Sequence, residues 1–146
     1  MEQEFLDIID PIIKNEEVQK MNNFKHHKNC TCLEHSLHVA EKCYQICKKR
    51  NLDYVSATRA GLLHDLFLYN WHEENGIKKH YLHGFFHPKT SLINATKITN
   101  LNKIEKDMII KHMWPLTIKL PKYKETYVIC WVDKVCCVKE VLYGKI

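Results

Sequence analysis

The stretch AGLLHDLFLY, residues 60–69, sets His64 and Asp65 side by side among Leu62, Leu63, Leu66, Phe67 and Leu68. A carboxylate with apolar neighbours is costly to bury unless it is paired, hydrogen-bonded or bound to a cation. Four more residues of ligand type stand in similar company: His35 before the pair, then His87, His112 and Asp133 after it. The steps between them are 29 residues (35 to 64), 22 (65 to 87), 25 (87 to 112) and 21 (112 to 133). A single histidine on an apolar helix face is ordinarily a hydrogen-bonded core residue, and a lone aspartate ordinarily meets a lysine. The ordered set is different, because one ligand per helix is how helical bundles build metal sites. Imidazole and carboxylate donors without thiolate suit one or two hard or borderline divalent ions: Mn²⁺, Fe²⁺, Mg²⁺, Ni²⁺ or Zn²⁺.

The elements that must position these residues read as helices throughout. Apolar residues recur at helical spacing and the chain has only four glycines, which argues for an all-α fold, a compact single-domain helical bundle. A first helix over about 3–20 carries Phe5, Ile8, Ile9, Ile12 and Ile13 on one stripe, with a kink expected at Pro11. Thr31 and Glu34 form a capping-box pattern opening a second helix to about Arg50, with Leu33, Leu37, Ala40, Tyr44 and Cys47 inward and His35 at the stripe's edge. Asp53 is the expected N-cap of a third helix to about Leu68, which carries the His-Asp pair. A polar, histidine-rich connection follows, and His87-Pro88 reads as N-cap and first residue of a helix to about Ile98. Asn102 and Glu105 cap the helix of His112, which Pro115 ends. The last helix, about Lys124 to Leu142, is expected to face Val128, Trp131, Val132, Val135 and Val138 inward, with Asp133 interrupting that run.

With the residues in this order, the chain resembles the HD-domain metal-dependent phosphohydrolases over about residues 27–142, with the N-terminal helix packing on that core. The motifs that carry the resemblance are HSLHVA (35–40), GLLHDLF (61–67) and WVDKV (131–135). It implies His35, His64, Asp65 and Asp133 as ligands of one metal, with His64 and Asp65 at the catalytic heart. HGFFHP (83–88) and IIKHMW (109–114) resemble the extra histidine positions of the binuclear branch, which implies His87 and His112 on a second metal with Asp65 bridging. His83 is the alternative at the first of these positions. The family often has arginine where His38 stands. The branch that cleaves cyclic dinucleotides carries Gly-Lys soon after its His-Asp, where this chain reads Leu66-Phe67-Leu68. The activity implied is hydrolysis of a phosphomonoester or phosphodiester, with a nucleotide or related small phosphate as substrate. A cation would acidify water and offset charge on the phosphoryl oxygens. His27, His38, His83, Lys119, Lys122 and Lys124 are the candidates to meet that anion. The alternative function is a metal- or nucleotide-binding sensor without turnover.

Composition bounds these readings. The 146 residues, 45% hydrophobic and 27% charged, suit one globular domain with a real core. No apolar run approaches the roughly 20 residues of a membrane span, and the acidic opening MEQEFLDIID does not read as an export signal, so a cytoplasmic setting without membrane contact is expected. Seven cysteines then read as reduced thiols, and the lone Cys30-x-Cys32 lacks a second pair for a zinc ribbon. The net charge of +5 is modest. The lysines near residue 120 suit a phosphate or a nucleic acid, although a solvated lysine face is the commoner meaning and nucleic acid is not the favoured partner.

Overall fold

The computed structural model describes residues 1–68 and 77–144, and across 77–84 the backbone alone. The fold is all-α: seven α-helices and one two-stranded hairpin among the described residues. The helices are α1 (Gln3–Ile13), α2 (Glu16–Gln19), α3 (Cys32–Lys49), α4 (Tyr54–Leu63), α5 (Ile77–Ile98), α6 (Lys103–Lys111) and α7 (Lys124–Tyr143). The hairpin pairs β1 (Lys25–His27) antiparallel with β2 (Cys30–Thr31) and feeds directly into α3. No helix among the described residues is long and apolar enough to cross a membrane.

Three helix starts follow from capping chemistry. Thr31 and Glu34 exchange side-chain and backbone hydrogen bonds in a capping box at α3, and Asn102 and Glu105 do the same at α6. Asp53 accepts from the Ser56 N–H and caps α4. Helix α3 lies at the centre, against α4 on one side and α7 on the other, while α6 packs on α4, α5 and α7. At the α3–α4 crossing a Cβ on Gly61 would stand 2.7 Å from the Ala40 Cα, so glycine is what lets these two backbones approach. Helix α1 buries Phe5, Ile9 and Ile12 in the core cluster, next to α4.

Polar ties centred on the buried acids Glu105 and Asp107 link the helices that carry the candidate ligands. Arg59 on α4 donates from Nε to Glu105 on α6, and from Nη2 to the Asn100 carbonyl at 2.9 Å and Thr99 Oγ1 at 3.1 Å. Asp107 on α6 accepts from Thr126 Oγ1 at 2.6 Å and from the Lys122 N–H at 2.9 Å, and so holds the start of α7.

Four sequence expectations are corrected. The first helix ends at Ile13 and a separate short turn of helix carries Val18; Pro11 lies inside α1 near its end. Helix α4 stops at Leu63 rather than running to Leu68, because the His64 side chain takes up a carbonyl of the last turn and Leu68 adopts a left-handed backbone with φ 59°. His87 is not an N-cap: α5 runs through Pro88, although proline cannot donate to the carbonyl four residues back. Burial outweighs that loss, since His87, Ser91 and Ala95, four residues apart, form one buried stripe. The inner face of α7 is Ile129, Val132, Asp133, Cys136 and Glu140, while Trp131 and Val138 are 69% and 57% exposed. A stripe read only from apolar residues was rotated away from the true one, which includes two acids.

Candidate metal centre

His64 and His112 are placed by one repeated device. Each is the residue that closes its helix, α4 or α6, and each ring Nδ1 lies 2.7 Å from the carbonyl three residues back, Gly61 for His64 and Ile109 for His112. A carbonyl only accepts, so Nδ1 carries a proton and Nε2 is the nitrogen directed inward, the one that can bind a cation. His35, one turn into α3, is fixed differently: its Nδ1 donates to Glu140 on α7, a residue with no exposed surface.

These three imidazoles converge on two carboxylates. His35 Nε2 lies 2.9 Å from Asp133 Oδ1 and 3.4 Å from Asp65 Oδ2, and His64 Nε2 lies 3.3 Å and 3.2 Å from the same two oxygens. The other oxygen of Asp65 faces the opposite way: Oδ1 is 3.1 Å from His87 Nε2 and 3.5 Å from His112 Nε2. The donor atoms of His35, His64, Asp65 and Asp133 form one compact group, and those of Asp65, His87 and His112 form a second, sharing Asp65. All six residues are buried.

Burial by itself would discharge these groups, lowering the imidazoles and raising the carboxyls. At His35 the hydrogen bonds to Asp133 and Glu140 and the nearby carboxylate charges outweigh burial and raise it to about 9. The charge of Asp65 and the Asp133 hydrogen bond raise His64 well above its ordinary value. Asp65 and Asp133 are held well below the usual carboxylate range, against burial, by the facing imidazoles. His112 goes the other way: burial lowers it, and the charges of His64 and His87 add to that. The pocket therefore favours positive charge on the His35–His64 side and a neutral, lone-pair imidazole at His112.

This donor set fits a cation. The Nε2 atoms of His35 and His64 stand 2.9–3.4 Å from the oxygens of Asp65 and Asp133, a spacing that protons on the imidazoles bridge and that a metal ion can take over by displacing them. Neighbouring ligands of an ion with bonds of about 2.1 Å stand about 3.0–3.4 Å apart in octahedral or tetrahedral geometry, the same spacing.

A family model described as HD domain matches residues 32–135. The chain belongs to the HD-domain family. HD domains bind divalent metal ions and are mostly metal-dependent hydrolases. The matched span begins at the start of α3 and ends two residues past Asp133, so it holds all six candidate ligands of this HD domain. No curated protein and no solved structure matches the chain.

The HD-domain cluster also contains two residues that the sequence did not single out. His26, on β1, has Nδ1 2.7 Å from Glu140 Oε1 and Nε2 3.3 Å from Asp65 Oδ2, and its ring stacks on His35 at 3.7 Å. Glu140 thus anchors two imidazoles, those of His26 and His35. The available signals were strand alternation, which turns His26 inward and its neighbour His27 only halfway, and the seven-residue step from Asp133 to Glu140 along one face of α7. His27 packs edge-on against His26 and groups with Cys137.

The other expected substrate contacts are placed apart from the cluster. His38 lines a cleft between α3 and α7, and Lys124 lines a groove that shares residues with it. Lys124 is nine residues before Asp133, roughly 13 Å of helix rise away. Lys119 and Lys122 are exposed, and the Lys122 ammonium sits over the Tyr123 ring at 5.7 Å. The side chain of His83 lies outside the described residues.

Proposed function

We propose that this HD domain is a metal-dependent phosphohydrolase that cleaves a phosphomonoester or phosphodiester of nucleotide size at a centre for two divalent ions. One observation carries the reading: the two oxygens of Asp65 are divided between two donor sets, Oδ2 toward His35 and His64 and Oδ1 toward His87 and His112. A carboxylate serving one ion, or one salt bridge, has no need of imidazoles on both sides. His35, His64, Asp65 and Asp133 would hold one ion, and Asp65, His87 and His112 the other.

Bound ions supply Lewis acidity, which lowers the pKa of water and offsets charge on phosphoryl oxygens. The chain's own work is to hold the geometry. The Gly61 and Ile109 carbonyls fix the tautomers of His64 and His112, and Glu140 fixes His35. Leu62, Leu63, Leu66, Met108 and Ile109, all fully buried, keep water from the back of the site. His26, held by Glu140 through Nδ1 and with Nε2 3.3 Å from Asp65 Oδ2, would donate from Nε2 to a phosphoryl or leaving oxygen in its doubly protonated form.

The test is a screen of phosphomonoesters, phosphodiesters and nucleotides with added Mn²⁺, beside Asp65→Ala. The proposal expects phosphate or alcohol release that falls to background in Asp65→Ala and in chelator. Stoichiometric metal with nucleotide binding but no turnover of any substrate would make the chain a sensor. Equal activity in Asp65→Ala would remove the centre from the chemistry.

A further inference from the structure

The side of α3 and α7 that carries His38 and Trp131 has a second concavity that the metal centre does not use. A cleft of about 310 Å³ lies between the helices, lined by His38, Glu41, Lys42, Trp131 and Lys139 among others. It is continuous through Ile46 and Trp131 with a wider groove of about 890 Å³ that adds Lys49, Arg50, Lys124 and Tyr127. Both volumes lie within the roughly 300–1,000 Å³ of small-molecule sites.

Three features of this trench point to one kind of ligand. Trp131 is 69% exposed, on the wall common to both parts. Indole on the surface costs solvation, and it offers a flat face for stacking. The Tyr127 ring is held edge-on to Trp114 at 5.5 Å, so Trp131 supplies the free face. The second feature is charge. Lys42, Lys49, Arg50, Lys124 and Lys139 make no ion pair among the described residues, and Glu41 is the one carboxylate of the two linings. The adjacent Lys48 differs, being paired with Glu2 and Glu4. The third feature is His38, whose Nδ1 is buried without a hydrogen-bond partner. Such an atom loses free energy until a ligand or water meets it.

We infer that this trench binds a nucleoside polyphosphate at a site separate from the metal centre. The base stacks on Trp131, with His38 and Glu41 in the narrow cleft to meet its polar edge. The phosphates extend into the groove toward Lys49, Arg50 and Lys124. A mononucleotide suits the trench better than a strand, since a strand needs a succession of stacking faces and this wall presents one. The site rests on α3 and α7, the helices that carry His35 and Asp133.

The experiment titrates the full chain in EDTA, which silences the metal centre, with the β,γ-methylene analogues of ATP and GTP. Guanosine, adenosine and inorganic tripolyphosphate serve as separate arms. The inference expects one equivalent of triphosphate analogue bound, with nucleoside and tripolyphosphate each weaker by about tenfold or more. Trp131→Ala and the Lys49→Ala/Arg50→Ala pair should each weaken binding by about tenfold or more, while Asp65→Ala leaves it unchanged. Thermal melts check that the surface variants are folded. Absence of binding at millimolar analogue, affinity unchanged in both variants, or loss of binding in Asp65→Ala would overturn the inference. A single-stranded tetranucleotide held much more tightly through the same residues would also overturn it, by showing a nucleic-acid surface.

Discussion

Replacing Glu140 with Gln tests the outer support of the centre while changing almost no volume. Glu140 is fully buried, and its two oxygens accept from His26 Nδ1 and His35 Nδ1. Glutamine has one acceptor oxygen and one donor nitrogen, so one imidazole N–H would meet an NH₂ group. Either that hydrogen bond is lost or the ring moves its proton to Nε2, the atom that faces Asp65 or Asp133. Burial opposes ionisation of Glu140, yet the two histidines lower its carboxyl from 4.5 to about 2. That difference is worth about 3 kcal/mol of preference for the charged form in the fold. For a chain of this length, losing most of it should lower the melting temperature of the metal-free protein by about 5–10 °C at pH 7. Metal affinity should fall about 10- to 100-fold, as it does when an outer carboxylate of a metal-bound histidine is removed. Calorimetric melts in chelator and competition with a fluorescent metal indicator measure the two quantities. Wild-type stability together with wild-type metal affinity in Glu140→Gln would refute the reasoning.

Other expectations follow from the same geometry. In Gly61→Ala the new Cβ meets α3 backbone at 2.7 Å, so α3 and α4 must separate; the variant should lose about 1–2 kcal/mol in urea denaturation, the strain exceeding the gain in helix propensity, and unchanged or higher stability would contradict the close crossing. The metal-free chain should be most stable between about pH 4.5 and 6.5. Glu140, lowered to about 2, contributes stability that is present above about 4.5 and lost as pH falls, whereas His35, raised to about 9, contributes stability that is present below about 6.5 and lost as pH rises. Melting temperatures in EDTA across pH 3–10 test this, and stability still rising from pH 6.5 to 9 would refute it. For the same reason a divalent ion must displace protons from the centre at pH 7, so titration calorimetry in buffers of different ionisation heat should show at least one proton released per chain, and none released would count against the donor set.

Much of this arrangement was legible in the sequence because it rests on local chemistry. The boxes at Thr31–Glu34 and Asn102–Glu105 and the Asp53 cap are short-range signals, and the helices begin where they say. The set of His35, His64, Asp65, His87, His112 and Asp133 stood out through the cost of polar groups in apolar company, and the structure brings all six together. What was missed depends on three-dimensional packing. That α4 stops at Leu63 follows from a side chain bonding its own helix end, and that α5 passes through Pro88 follows from a buried stripe outweighing a local preference. His26 and Glu140 were overlooked because one sits in a seven-residue hairpin and the other, an acid near a helix end, has the look of a solvated residue. Trp131 was expected inside because of its type, while its neighbours on α7 put Asp133 there instead.

The account turns on Asp65 standing between two cations. The most direct measurement is an anomalous difference map from crystals of the chain grown with Mn²⁺. Two peaks are predicted, one among His35, His64 and Asp133 and one beside His87 and His112, with an oxygen of Asp65 on each. A map without a peak at Asp65, or with Asp133 turned away from every bound ion, would contradict it.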